Sequence, residues 1–429
     1  MPRPPFPDYP DRCGWNAMLP PRSPRPAAKG DQRADFAVVG AGFTGLAAAR
    51  RLAELHPQAR IAVLEATEVG EGSSGRNSGF ASPTDIPGGT SPAALASAAA
   101  QDRLGEEGFA WLVELMQRHG IDCGLHLSGR IKGAATERGE AVVRGMLATV
   151  QALGLPHALL GPDELEQRIG THYYRLALFT EGGYLLDPAA LIRGLADSLP
   201  ENVALHEASP VRALRRDGAL WRLETGDATV TAPVVVMATN AAVKHFGHLR
   251  DRIVTIYTYA GISAPVPDGA AFGTLPSWGL LACHRLGTTV RRVGPNRLMV
   301  RSLYAYERGL PEARVRDELR RRFHRRYPAL SAIDLEHVWG GTTALTMNGA
   351  PWWGELDRNL YGFAGCNGSG IVKGTVLGKR LAERIAGHDT SAEIQAAFGT
   401  ASWVAPEPFR TIGFHAISAI ERRRAGAES

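Results

Sequence analysis

The 429-residue chain is too long for one simple core and suits two domains. A hydrophobic fraction of 44% is ordinary for a globular protein, and no apolar run is long enough to span a bilayer, which argues against a helical membrane protein. The net charge of +5 does not point to nucleic acid: the arginine-rich stretch Arg314 to Arg326 is broken by Asp317, Glu318 and Leu319, as on a solvated helix face.

In chain order, residues 1–30 are proline-rich and read as an extended arm, with Trp15 as an anchor. Phe36–Val39 is a short buried strand and Phe43–Leu55 a helix with an apolar stripe of Leu46, Ala49, Leu52 and Ala53. Ile61–Leu64 is the next strand, so the chain opens as a βαβ unit. Helices are predicted over 93–119 and 141–153, with a hairpin over 121–135 turning at Ser128-Gly129. Another helix covers 188–199, short strands cover 202–223, and Val234–Met237 is a strand covered on both faces. Strands return over 253–304 with a turn at 294–296, then a helix over 312–327 and a strand over 361–364. In the last helix, about 371–385, Ile371, Gly374, Gly378, Leu381 and Ile385 share one face, which the glycines allow to pack closely on a sheet. The stretch Arg422 to Arg424 reads as a frayed terminus.

Three glycine-rich motifs carry the chemistry. In Gly40-Ala41-Gly42-Phe43-Thr44-Gly45 the first glycine permits the tight turn and the second admits a pyrophosphate to the backbone. The third lets helix and strand pack. The helix N-terminus then faces the phosphates. Glu65 and Ala66 end the second strand about 20 residues on, where a carboxylate accepts hydrogen bonds from ribose hydroxyls. The second motif, Gly72-Ser73-Ser74-Gly75-Arg76-Asn77-Ser78-Gly79, is a polar loop that a nicotinamide enzyme does not need and a flavin enzyme does. Arg76 there is a candidate partner for phosphate or substrate. The third, Gly365-Cys366-Asn367-Gly368-Ser369-Gly370, opens a second helix whose N-terminus favours negative charge on a reduced flavin.

These motifs, with Leu186-Asp-Pro-Ala-Ala-Leu and Val236-Met-Ala-Thr-Asn-Ala, resemble the FAD-dependent amine and amino-acid oxidases over residues 35–386. In look the chain is most similar to the glutamylputrescine-oxidase side of that family. The resemblance implies an α/β fold: a Rossmann-like, glutathione-reductase-type FAD-binding domain and an α+β substrate domain on a mixed or antiparallel sheet. The expected division is an arm (1–30), FAD-binding segments (31–90, 187–250, 340–390), substrate-domain segments (91–186, 251–339) and a tail (391–429). It further implies that Val211, in a strand at 209–212, touches the adenine end through its backbone. Relatives that attach FAD covalently use a cysteine or histidine absent here from 343–351 and 70–80, so FAD is expected to be non-covalent.

The implied reaction is hydride transfer from an amine or amino acid to flavin N5, followed by imine hydrolysis, with O2 as acceptor. A dehydrogenase-type or non-catalytic flavin subunit of a larger complex is the alternative. No general-base constellation is visible. His284, in a predicted strand, Tyr259 and Trp352 are the candidates for the substrate side, with Arg301 and Tyr304 behind them. The four cysteines (Cys13, Cys123, Cys283, Cys366) lack metal or redox spacing, so no metal is expected. Arg3 has no apolar stretch behind it, so no secretory signal is expected and the setting is cytoplasmic. The expected partners are a small amine and O2, with no nucleic acid and no membrane.

Overall fold

The computed structural model describes residues 9, 11–267 and 269–429. Two large sheets organise the chain. The six-stranded sheet runs in the order 203–206, 61–64, 36–39, 234–237, 360–364, 352–357, and its first five strands are parallel. Its central strands are continuous apolar runs because helices cover them: Ala37, Val38, Val63, Val235 and Val236 have no exposed surface. The second sheet has eight strands in the order 335–345, 254–263, 297–306, 289–293, 279–282, 130–134, 176–180, 157–160 and is mostly antiparallel. Leu335–Leu345 is one unbroken strand of this sheet, so the expected division at residue 340 falls inside it.

The βαβ opening forms as read, with the helix at Phe43–Leu55. Helix Pro92–His119 starts where sequence chemistry dictates: Ser91 accepts from the Ala94 N–H, Pro92 occupies the first turn, and Gly120 ends it in the left-handed conformation. Thr136 caps the next helix, which begins at Glu137, four residues before its apolar periodicity.

Several expectations fail for identifiable reasons. Residues 121–135 are not a hairpin. Gly129 makes the turn with φ +66, but His126–Leu127 pairs with Tyr184–Leu185 while Arg130–Ala134 joins the eight-stranded sheet. The glycine face of helix Gly370–Ile385 packs against helix Phe43–Leu55, not on a sheet: a Cβ on Gly378 would lie 2.3 Å from the Thr44 carbonyl oxygen. Residues 209–212 are outside any strand. The last residues are not frayed. Helix Phe409–Ala425 leads to Glu428, 1% exposed, whose backbone carbonyl accepts from Thr288 N–H and Arg326.

The arm is fastened rather than loose. Trp15 lies in the helix Gly14–Met18, 2% exposed, and donates from Nε1 to the Asn77 carbonyl at 2.9 Å. Arg22 makes two 2.8 Å bonds to the fully buried Glu207, which also accepts from the backbone N–H groups of Arg25 and Val69. Once dehydrated, that carboxylate requires all these donors.

The crossing of the two glycine-faced helices sets a testable limit. Gly378→Ala should cost about 2 kcal/mol, because backbone must move. Gly145→Ala, in an exposed helix position with open space around its Cβ, should stabilise by about 0.5 kcal/mol. Urea unfolding of both variants checks the pair.

Candidate cofactor and substrate site

One cavity of about 950 Å³ lies between the two sheets, and all three glycine motifs reach it. Gly40 turns out of its strand with φ +101, a conformation that favours glycine. A Cβ on Gly45 would sit 1.9 Å from the Gly40 carbonyl oxygen, so helix and strand meet only because that side chain is missing. On Gly42 a Cβ would lie 2.6 Å from the Ser74 hydroxyl. Ser74 in turn accepts from the Phe43 N–H at 3.1 Å. The N–H groups of this helix's first turn have no intrahelical acceptor, which makes its end a ready site for phosphate.

Glu65 stands where a ribose would be held. Its carboxylate accepts from the Ala41 N–H at 2.8 Å and from the Thr67 N–H at 3.1 Å. Desolvation pushes its pKa up, while these backbone donors pull it down. Ala66 and Val211 line the same end, and the Ser209 N–H bonds the Glu65 carbonyl, bringing residues 209–211 alongside.

The second motif is held differently from expectation. The Arg76 guanidinium is buried and committed: it donates to the carbonyls of Glu71, Gly340 and Asp11 and to the Glu71 carboxylate at 2.7 Å. Tyr9 covers its face, 4.2 Å from ring centroid to guanidinium carbon. Arg76 is therefore a clamp joining arm, loop and sheet, and its charge is already answered. Glu71 extends the clamp by accepting from the Cys13 N–H and from Asn16. Asn77 braces the loop, donating to the Ser74 carbonyl and accepting from the Gly79 N–H. Gly75 and Gly79 lie behind the cavity lining and serve close packing: a Cβ on either would lie 2.1 Å from a carbonyl oxygen.

In the third motif Asn367, Gly368, Ser369 and Gly370 line the cavity, and Gly365 sits behind them. Asn367 has φ +53, and its amide accepts from the Thr346 N–H and donates to the carbonyls of Gly349 and Gly365. It shapes the loop 344–349 that closes this end.

The three substrate-side candidates separate. Tyr259 lines the cavity, and its hydroxyl accepts from the Leu310 N–H. Arg301 and Tyr304 line it as well, joined by a 2.8 Å hydrogen bond. His284 does not. It lies in a turn after the strand Gly279–Ala282, grouped with Cys283 and Glu428 and outside the cavity lining. The strand ends before it, so its side chain never takes the cavity-facing register. Trp352 is also outside the lining. It begins an edge strand paired antiparallel to Leu360–Ala364, and its neighbour Trp353 packs on helix Gly370–Ile385 by donating to the Leu377 carbonyl.

Sequence reasoning missed several residues. Tyr9 reaches the cavity from the arm, its hydroxyl 2.8 Å from that of Thr342. Arg291, 6% exposed, holds the carbonyls of Ser78 and Leu186, and burial lowers its pKa to about 10. Lys132 also lines the cavity. The signal available for Tyr9 was one aromatic in a proline-rich stretch. Arg291 and Lys132 are each a charge at a cavity-facing or buried strand position.

A family model described as FAD dependent oxidoreductase (DAO) matches residues 35–384. The chain belongs to this family. Among curated relatives, glycine oxidase of Geobacillus kaustophilus (strain HTA426) is 27% identical over 386 residues, covering 84% of this chain and 95% of the relative. Gamma-glutamylputrescine oxidoreductase of Escherichia coli (strain K12) is 26% identical over 365 residues, covering 82% and 84%. In fold, the crystal structure of glycine oxidase from Geobacillus kaustophilus superposes with a TM-score of 0.69 at 24% identity, over 86% of this chain and 99% of that one. The family's cofactor is FAD, and the cavity fits it: a glycine cradle at a helix N-terminus, an acid at one end, and a second helix N-terminus at the other. Among the described residues no helix is long and apolar enough to cross a membrane.

Removing the clamp should damage the fold before the chemistry. Arg76→Met takes one charged donor from the Glu71 carboxylate and the guanidinium donors from the carbonyls of Glu71, Gly340 and Asp11, and should cost about 3 kcal/mol. A thermal unfolding series on the FAD-free protein checks this. Unchanged stability would mean that the guanidinium is free for a ligand instead.

Proposed function

We propose that this FAD-dependent oxidoreductase oxidises the C–N bond of a small amine or amino acid, with O2 as electron acceptor. The observation that carries the reading is the continuity of the cavity. It joins the glycine cradle to a chamber on one face of the eight-stranded sheet, where Arg301 and Tyr304 stand. When bound, FAD supplies a two-electron acceptor for the hydride on the carbon next to nitrogen.

The chain's own residues provide position and field. Glu65 and the first turn of helix Phe43–Leu55 would hold the ribose and phosphates. The first turn of helix Gly370–Ile385 lines the other end, where its N–H groups favour negative charge. Burial raises the pKa of Tyr259, partly offset by the Leu310 N–H that its hydroxyl accepts. Among the described residues no histidine lines the cavity. The amine therefore has to arrive with its lone pair free, because loss of hydride needs it. The likeness to glycine oxidase and gamma-glutamylputrescine oxidoreductase supports an amine-bearing substrate. Cys366 lines the cavity, but its sulfur is engaged with Asn240 and the Thr343 hydroxyl, which supports non-covalent attachment.

Two measurements test the reading. Precipitating the yellow protein with acid should leave the flavin in the supernatant; colour in the pellet would refute non-covalent attachment. Anaerobic addition of amines and amino acids should bleach the flavin spectrum, faster as pH rises through the ionisation of the amine. A flat pH profile with chemistry rate-limiting would contradict the need for a neutral amine. Flavin bands that no amine bleaches would favour a non-catalytic subunit.

A further inference from the structure

The chamber carries cations without counter-charges. Across the eight-stranded sheet, Lys132 pairs in register with Leu281, and Thr289 with Arg301. All four line the cavity, so they form one row on a single face. Three inter-strand steps separate the ends of the row, about 14 Å between backbones. Lys132 at one end makes no hydrogen bond or ion pair among the described residues. Arg301 at the other bonds only the Tyr304 hydroxyl. From the facing side Lys373, in the first turn of helix Gly370–Ile385, also lines the cavity; its ammonium lies 5.2 Å from the Phe398 ring and makes no hydrogen bond or ion pair among the described residues.

The acids nearby answer these charges only in part. Asp85 lies beside Arg130, at 3.5 Å, and Asp102 accepts from the Asp85 N–H. Burial pulls the Lys373 pKa below its ordinary value, and the charges of Cys366 and Asp85 offset this only in part. Three partly buried cations lining one chamber repel one another, and an anionic ligand would relieve that cost.

We infer that the substrate is a small amine carrying two negative charges, as two carboxylates or one phosphonate, gripped by Lys132, Arg301 and Lys373. The inference rests on the amine-oxidation reading above and names its substrate class. A neutral amine would leave all three cations unanswered, and a single carboxylate would answer one. The span between Lys132 and Arg301 suits either two separated carboxylates or one phosphonate whose three oxygens are shared by converging side chains.

The test uses the FAD-loaded protein and separates binding from turnover. Succinate and methylphosphonate, which cannot be oxidised as amines, should perturb the visible flavin spectrum at concentrations about tenfold below acetate. Lys132→Met and Arg301→Met should each raise that concentration about tenfold while retaining bound FAD, and Lys132→Arg should restore it. Among oxidisable probes, N-methylaspartate or 2-aminoethylphosphonate should reduce the flavin at lower concentration than sarcosine or N-methylpropylamine. The stronger of succinate and methylphosphonate tells carboxylates from phosphonate. Equal effects of acetate and succinate, with N-methylpropylamine reducing the flavin as well as N-methylaspartate, would overturn the inference and leave amine oxidation standing. Tight succinate binding with no reduction by any amine would uphold the anion site and remove the amine-oxidation reading instead.

Discussion

The contact on which the site depends is the crossing of two helices at Thr44. Gly374 and Gly378 bring helix Gly370–Ile385 against Thr44 on helix Phe43–Leu55, and Gly45 on that helix brings it against the Gly40 turn. Side chains at these glycines would push both helices outward. With them absent, two helix N-termini open into the same cavity from separate parts of the chain. Each carries the partial positive charge of its unpaired N–H groups. Where the phosphates and the far end of a bound flavin would rest is thus set by backbone approach, before any side chain contributes a hydrogen bond.

A second knot holds the loop that would lie along the flavin. Arg76 has its donors spread over the arm, the loop and the strand Leu335–Leu345, with Trp339 donating back to the Arg76 carbonyl. Trp15 and Trp339 meet edge to face at 6.2 Å beneath it. This is a buried charge satisfied by carbonyls and one carboxylate, an arrangement that tolerates little change because each acceptor would otherwise be stranded. It also explains why the arm belongs to the site: Tyr9 forms part of the wall, and helix Gly14–Met18 packs behind it against the clamp.

The cofactor end was legible in the sequence because it is written locally. Glycine spacing, the strand before it, the helix after it and the acid at Glu65 lie within about thirty residues, and each has a backbone reason. Ser74 and Asn367 were picked out in the same way, from their motifs, and both line the cavity; Val211 came only from the family resemblance. What could not be read was register across distant strands. His284 misled because the strand at Gly279–Ala282 ends two residues earlier than alternation suggests. Arg76 was read as a partner for phosphate or substrate; it lines the cavity, but a charge beside a phosphate site can equally be a structural bolt, and the positions of Asp11 and Gly340 show that its donors are taken. The supposed hairpin at 121–135 had the right turn residue, yet its two strands found partners about 50 residues further along, at 184–185 and 176–180.

The same limit explains why the substrate side speaks only in three dimensions. Lys132 and Arg301 lie 169 positions apart, and nothing in either segment marks its charge as special. Each reads as an ordinary polar residue on a strand. Sheet pairing through Leu281 and Thr289 turns them into the two ends of one row, and the helix crossing at Thr44 sets Lys373 on the facing helix. On the proposed reading, the glycines that admit the cofactor also position the third cation. A chamber assembled this way would select through charge geometry more than through shape. Its two sheet cations are fixed by the ladder, while the third is free to move only as far as one lysine side chain reaches.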